Sequence, residues 1–353
     1  MQIAIAKESD EERWNEYANN HAHTSPYHLF AWKKSVETAY GQKSYYLMAL
    51  DAQDNIVGIL PSILIKPPLG YATLCSLPYC DRGEALADTP VIVDELISEG
   101  RAICHKLKAH CYEYRSTRMT AFDSNKQRHT APPQKVRMIL DLPETSELLL
   151  AGFKSKLRSQ IKKAEKNGLT FLIGNNGSQI SDFYNVFATN MRDLGSPTHS
   201  KRWFECIRRF YGEHCIISVV KYDSQPVGAG LILQNGLNAT IPWASTLKEY
   251  NKLAPNMLLY WSLLEYATNK GCQQFDFGRS SIGEGTFKFK QQWGARPVEL
   301  DWVTYQDDGG PAVMDYNPGH RGILRQTAEH IWRKLPLPLS VRLGSSIRKY
   351  ISL

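Results

Sequence analysis

Two stretches of this chain repeat one another at a distance of 171 residues. Ser25-Pro26-Tyr27-His28, Trp32 and Tyr40-Gly41 recur as Ser196-Pro197-Thr198-His199, Trp203 and Tyr211-Gly212. Each copy runs on into a strand-like segment, Tyr45 to Leu50 or Ile216 to Val220, and then a polar turn holding Asp54-Asn55 or Asp223-Ser224. Val57-Gly58 and Val227-Gly228 open the next strand at an offset of 170. A helix and a strand come later in each half: Asp94 to Ala109 with Met119 to Phe122, and Pro255 to Lys270 with Gln274 to Phe277. A period this long belongs to duplicated domains and excludes a solenoid of stacked short units. The order helix, hairpin, strand, helix, strand in each copy predicts an α/β (α+β) unit with a mixed sheet. Its hairpin is antiparallel, and its last strand is reached by a crossover. The expected division is 1–145, 146–305 and a tail, 306–353.

Composition narrows the function classes. Hydrophobic residues make up 42% and charged residues 22%, as in an ordinary globular chain. The seven cysteines have no zinc-ligand spacing, so a metal site is not expected, and an odd scatter of thiols suits a reducing cytoplasm. No run of 18 apolar residues is present to span a bilayer. The net charge is +7, yet seven basic residues against Glu329 put +6 of it after residue 317. A nearly neutral body argues against RNA binding by the whole protein. In the tail, Ile323, Leu324, Ala328, Ile331, Trp332 and Leu335 recur at helical spacing before Pro336 and Pro338 break the helix. Such a basic amphipathic helix suits either an anionic membrane surface or packing on the body.

The chemistry concentrates between Phe275 and Pro297. A short apolar run ends at Gly278, where Arg279 and Ser280 appear, and the Gly283-Glu284-Gly285 loop offers backbone N–H groups to an anion. Thr286 to Lys290 alternates, which predicts a half-buried strand with Lys288 and Lys290 on one face. Lys290, its charge intact, suits an oxyanion donor, and Arg279 a clamp for phosphate or carboxylate. Asp276 is either a general base or an anchor for Arg279. Arg192, at the end of a helix beside Gly195, is a second cation for substrate. Trp243, Tyr250 and Trp293 are candidates to line a sugar or peptide groove. Phe153, Leu157, Ile161 and Ala164 form the apolar stripe of a helix ended by Gly168. Its lysines are either solvated or meet a polyanion.

The segments Lys156–Gly168, Asn190–Gly195, Leu253–Leu259, Phe275–Ser280 and Phe289–Gly294 together resemble the FemAB-related proteins. They most resemble the branch encoded with PEP-CTERM/exosortase and exopolysaccharide systems. The resemblance runs from about residue 10 to 335 and implies two tandem GNAT-type acyltransferase domains. It implies an aminoacyl or acyl transfer to an amine on a cell-envelope precursor, of peptidoglycan or exopolysaccharide type, with the lysine of Phe289-Lys290 assisting. A monomer is expected, in the cytoplasm as the cysteines suggest or at the inner face of the membrane as the tail suggests, with an acceptor that can be lipid-linked. No tightly bound cofactor is expected, and the donor is aminoacyl-tRNA or acyl-CoA. Where GNAT enzymes carry a glycine-rich pyrophosphate loop, this chain reads Tyr250-Asn-Lys-Leu-Ala-Pro-Asn-Met257, without glycine. The coiled-coil arm of the Fem proteins is missing too. The rival reading is a non-catalytic binding protein of an exopolysaccharide or exosortase system.

Overall fold

The computed structural model describes residues 1–117, 135–306, 311–312 and 321–353. The expected strand Met119 to Phe122 lies outside the described residues. The first half runs β1 (Gln2–Ile5), α1 (Glu11–Asn20), α2 (Phe30–Tyr40), β2 (Lys43–Ser44), β3 (Leu47–Leu50), β4 (Ile56–Leu60) and β5 (Ile63–Ile65). It continues with β6 (Thr73–Cys75), β7 (Leu86–Ala87), α3 (Pro90–Lys106) and β8 (Cys111–Thr117). A connecting stretch holds β9 (Lys135–Asp141), α4 (Ser146–Gly152) and α5 (Ser155–Lys166). The second half follows with β10 (Leu169–Gly174), α6 (Gly177–Leu194), α7 (Lys201–Tyr211), β11 (Cys215–Tyr222), β12 (Gln225–Asn235) and β13 (Asn238–Thr246). Then come α8 (Pro255–Asn269), β14 (Gln274–Ser281), α9 (Gly285–Gln292), β15 (Arg296–Gln306) and β16 (Pro311–Ala312). The chain closes with α10 (Arg321–Arg333) and α11 (Leu337–Arg348).

The repeated segments become equivalent elements. Each Ser-Pro-x-His leads into an eleven-residue helix, α2 or α7, that ends at Tyr-Gly. Each helix is followed by an antiparallel hairpin, β3–β4 or β11–β12, and later by a helix and strand, α3–β8 or α8–β14. The two copies face each other across a seam. Trp32 and Trp203, equivalent in the repeat, meet edge to face at 5.3 Å, and Tyr40 stacks on Trp203 at 5.1 Å. The largest core therefore belongs to neither half alone: it joins Trp14, Phe30, Trp32 and Tyr46 to Phe183, Phe187, Trp203 and Trp243.

The sheet crosses the seam as well. Its order is β10-β11-β12-β13-β14-β9-β15-β8-β6-β5-β2, mixed in direction. β9 precedes residue 145 but lies between β14 and β15, and β15 pairs with β8 of the first half. A second sheet, β1-β3-β4-β7, completes the first half.

Several local expectations change. The helix read from Phe153 starts at Ser155, because Phe153 takes extended backbone as the C-cap of α4. Leu157, Ile161 and Ala164 are buried, with the lysines left outside. Gly278 does not stop its strand: β14 continues to Ser281 through a bulge. The alternation at 286–290 is not a strand but the helix α9. In a helix, Phe289 and Trp293 stand one turn apart and both pack on Tyr260. Five residues are too few for period to decide against that packing. In the tail, the break at Pro336 holds, but Pro336 caps a second helix, α11, whose first turn accommodates Pro338. α10 and α11 both pack on α6, so the tail belongs to the body. No helix among the described residues is long and apolar enough to cross a membrane.

Candidate active site

β13 and β14 run parallel, but their pairing ends at Thr240 opposite Asp276 while both strands continue. Beyond that point β14 bulges between Asp276 and Arg279, where Gly278 has φ +72°. A Cβ is disfavoured in that conformation, so glycine lets the strand turn there. The Asp276 carboxylate fixes the bulge. Its Oδ1 accepts the Gly278 N–H at 2.8 Å, and its Oδ2 accepts Arg137 Nε and Nη2 at 2.9 and 2.6 Å. Arg137 and Asp276 are both buried. With both oxygens engaged, Asp276 anchors the backbone, and the arginine it holds is Arg137, not Arg279.

The bulge turns the carbonyls of Gly278 and Arg279 toward α9. Lys290 Nζ donates to both, at 3.1 and 2.8 Å. Lys290 is thus neither on a strand face nor half exposed; only 7% of it reaches solvent. Burial lowers its pKa to about 8, assisted by Arg279 and opposed by Asp81 and Asp276. An ammonium with two of its three protons given to carbonyls has one left to offer.

Asp81 comes from the first half. Its Oδ2 accepts the Arg279 N–H at 2.9 Å, its Oδ1 lies 3.6 Å from Arg279 Nε, and its backbone carbonyl accepts Trp302 Nε1 at 3.0 Å. Trp302 carries two guanidinium groups over its ring, Arg279 at 5.4 Å and Arg115 at 4.6 Å. Lys290, Arg279 and Asp81 therefore converge where the two halves meet, with Asp276 and Arg137 behind them. Asp81, Arg137, Arg115 and Trp302 went unread in the sequence. One signal was present: Arg137 interrupts Val136-Arg137-Met138 just as Asp276 interrupts Phe275-Asp276-Phe277, and charges inside apolar strands imply a partner on the next strand.

The remaining candidates lie elsewhere or do structural work. Trp243 stands in the seam, parallel to Trp32 at 6.3 Å, and lines no groove there; Trp293, buried against Phe153 at 5.4 Å, forms part of the wall of a cavity of about 470 Å³ between α4 and the end of α9. Tyr250, half-buried, donates to Gln225 Oε1 and tilts against Tyr222, just before α8. Arg192 is held by the neighbouring Asp193 at 2.7 and 2.9 Å. Glu284 and Lys288 are exposed at the start and middle of α9. Ser280 is buried beside Arg279 with its hydroxyl unpartnered. Ahead of α8, Ala254 takes φ +65° and Pro255 fills the first helical position, which removes one N–H from the turn that would face a pyrophosphate.

Residues 151–291 match the family model described as acetyltransferase (GNAT) domain, a span that ends just after Lys290. No curated protein matches the sequence. Among solved structures, FemX is similar at 13% identity and TM-score 0.67, covering 87% of this chain and 98% of its own. The C-terminal domain of a putative lysylphosphatidylglycerol synthetase from Agrobacterium fabrum aligns at 12% identity and TM-score 0.55, over 90% and 95%. A tandem GNAT protein from the clavulanic acid biosynthesis pathway aligns at 11% identity and TM-score 0.52, over 88% and 99%. The chain thus has a tandem GNAT fold, and its second half matches an acetyltransferase (GNAT) domain.

Proposed function

We propose that the protein transfers an acyl or aminoacyl group to an amine on a cell-envelope precursor, and that Lys290 is the group that assists. The observation that carries this reading is the lysine held by the two bulge carbonyls beside Asp81 and Arg279. In the transfer the acceptor nitrogen bonds to the donor's carbonyl carbon. The carbonyl oxygen becomes an oxyanion, and the C–O bond of an aminoacyl ester or the C–S bond of a thioester breaks. The remaining proton of the Lys290 ammonium meets the oxyanion, and burial of that ammonium makes such a donor more effective than it would be in water. Asp81 is better placed than Asp276 to take the amine's proton, since Asp276 is locked to Arg137 and Gly278. The proton then passes to the departing oxygen or sulfur. Arg279, half-buried on Trp302, suits a phosphate or carboxylate of the acceptor.

The resemblance to FemAB-related proteins of the PEP-CTERM branch directs the choice of acceptor toward peptidoglycan and exopolysaccharide precursors. The donor is aminoacyl-tRNA or acyl-CoA, and both belong in the test. The full chain is incubated with each donor and with sugar-nucleotide and lipid-linked amine acceptors, and products are read by mass spectrometry. A covalent amide formed by the parent protein and lost in Lys290→Met supports the reading. Absence of product with every pair, while a precursor still binds, assigns the chain to a non-catalytic binder instead.

A further inference from the structure

α11 has two apolar faces, and only one of them is covered. Leu337 and Val341 pack on the seam core, and Ser340 and Gly344 are buried between them. The approach is close: a Cβ on Gly344 would lie 2.8 Å from the backbone nitrogen of Thr198. The C-terminal end is tied down as well. The Lys349 carbonyl accepts Gln42 Nε2 at 3.1 Å and Tyr79 Oη at 2.6 Å, and the Ser352 carbonyl accepts the Tyr79 N–H at 2.6 Å and Arg115 Nη1 at 3.1 Å. The helix cannot roll to hide its other side.

That other side carries Leu339, Leu343 and Ile347, spaced by four residues, and Ile351 just past the helix end; they are 43, 42, 45 and 36% exposed. Ile331 of α10 is 58% exposed. Single exposed apolar residues are ordinary, but a continuous row along one helix is not. The charge around the row is mostly of one sign, with Glu329 paired to Arg333 at 3.7 Å. From Ile331 to Leu353 the chain has Arg333, Lys334, Arg342, Arg348 and Lys349 and no Asp or Glu. Arg333, Lys334 and Arg342 are exposed.

We infer that this outer face of α11 docks on an anionic lipid bilayer. An apolar row sinks into the boundary between headgroups and acyl chains, and flanking guanidinium and ammonium groups meet the phosphates. A second copy of the chain is a poorer occupant, because a two-fold contact would set one basic patch against another. Docking there also brings lipid close to the candidate site. The tail is bonded to Arg115, and Arg115 shares the Trp302 ring with Arg279. The inference does not depend on the transfer reading, since vesicle binding needs no donor.

The experiment is flotation of the full chain with vesicles of phosphatidylcholine alone or mixed with phosphatidylglycerol, at low and high salt. Binding is expected only with phosphatidylglycerol, weakened but not abolished by salt. The triple variant Leu339→Ser, Leu343→Ser, Ile347→Ser is expected to bind about tenfold less, or weaker still, with unchanged melting. Arg342→Glu, at an exposed position, is expected to bind at least roughly fivefold less. Failure to float, binding indifferent to lipid charge, or equal binding by either variant overturns the inference. So does a dimer in light scattering that the triple variant dissolves, for it gives the face to a second copy.

Discussion

Replacing Lys290 by Met separates catalysis from stability unusually well, because two opposing contributions nearly cancel. Methionine has similar length and no charge. At pH 7 the buried ammonium, with its pKa lowered to about 8 from an ordinary value near 10.5, costs about 3 kcal/mol that the variant recovers. Against this, the carbonyls of Gly278 and Arg279 lose a charged donor, at roughly 1.5 to 2 kcal/mol each. The net change in unfolding free energy is expected within about 1 to 2 kcal/mol. The transfer rate is expected to fall about a hundredfold to a thousandfold, the usual loss of one oxyanion donor. The pH dependence has a definite sign. The folded pKa lies below the unfolded one, so the unfolded chain holds more protons between about pH 8 and 10.5. Lysine's penalty is therefore complete below pH 8 and relieved as pH rises, and that slope should vanish in the variant. Activity that needs the cation should instead decline as pH rises through about 8. Single-turnover product formation and thermal melts across pH read both quantities. A variant within about tenfold of the parent rate, or a parent rate that climbs through pH 8, refutes the oxyanion role.

Three further substitutions test the supporting structure. Gly278→Ala, at φ +72°, should cost about 1 to 2 kcal/mol in melts and lower the rate, because the carbonyls that hold Lys290 shift; an unaltered rate counts against the bulge. Asp276→Ala leaves Arg137 buried and unpaired, so the loss should be about 3 to 5 kcal/mol in denaturant titration, and a small loss would restore a purely chemical role for Asp276. Asp81→Asn should depress the rate with little change in melting, and equal turnover would remove Asp81 as the proton acceptor.

Much of this architecture was legible in the sequence because it repeats. Ser-Pro-x-His, the tryptophan and Tyr-Gly return at one offset, and they fold into the paired helices α2 and α7. Pro255 and the all-apolar run after it correctly marked a buried helix. The failures share a cause: local pattern was read where tertiary contacts decide. Thr286 to Lys290 has strand period, but Tyr260 and the bulge carbonyls reward a helix that brings Phe289, Lys290 and Trp293 inward. Pro336 and Pro338 read as breakers, although a proline costs nothing in a first turn. Trp243 looks like a groove aromatic until its neighbour across the seam, Trp32, is known. Most of all, Asp81 and Arg137 sit 198 and 139 residues from the strand positions they serve, Arg279 and Asp276. No window along the chain holds both ends of such a pair.

Those separations explain why the two halves have to act together. Lys290 is positioned by carbonyls of β14, and β14 is held in its bulge by Arg137 of β9, a strand inserted from the connecting stretch. Asp81 reaches the same bulge from the first half, bonded to the Arg279 N–H, and Trp302 of β15 fastens the Asp81 backbone while β15 pairs with β8. The Asp81 ties cross the seam, where a shared core and a continuous sheet fix the distance between the halves. A duplicated fold need not keep two sites. Here one copy supplies the lysine, Asp276 and Arg279 and the other supplies Asp81, so the second half alone, even if folded, would lack one of the three charges that act on Lys290.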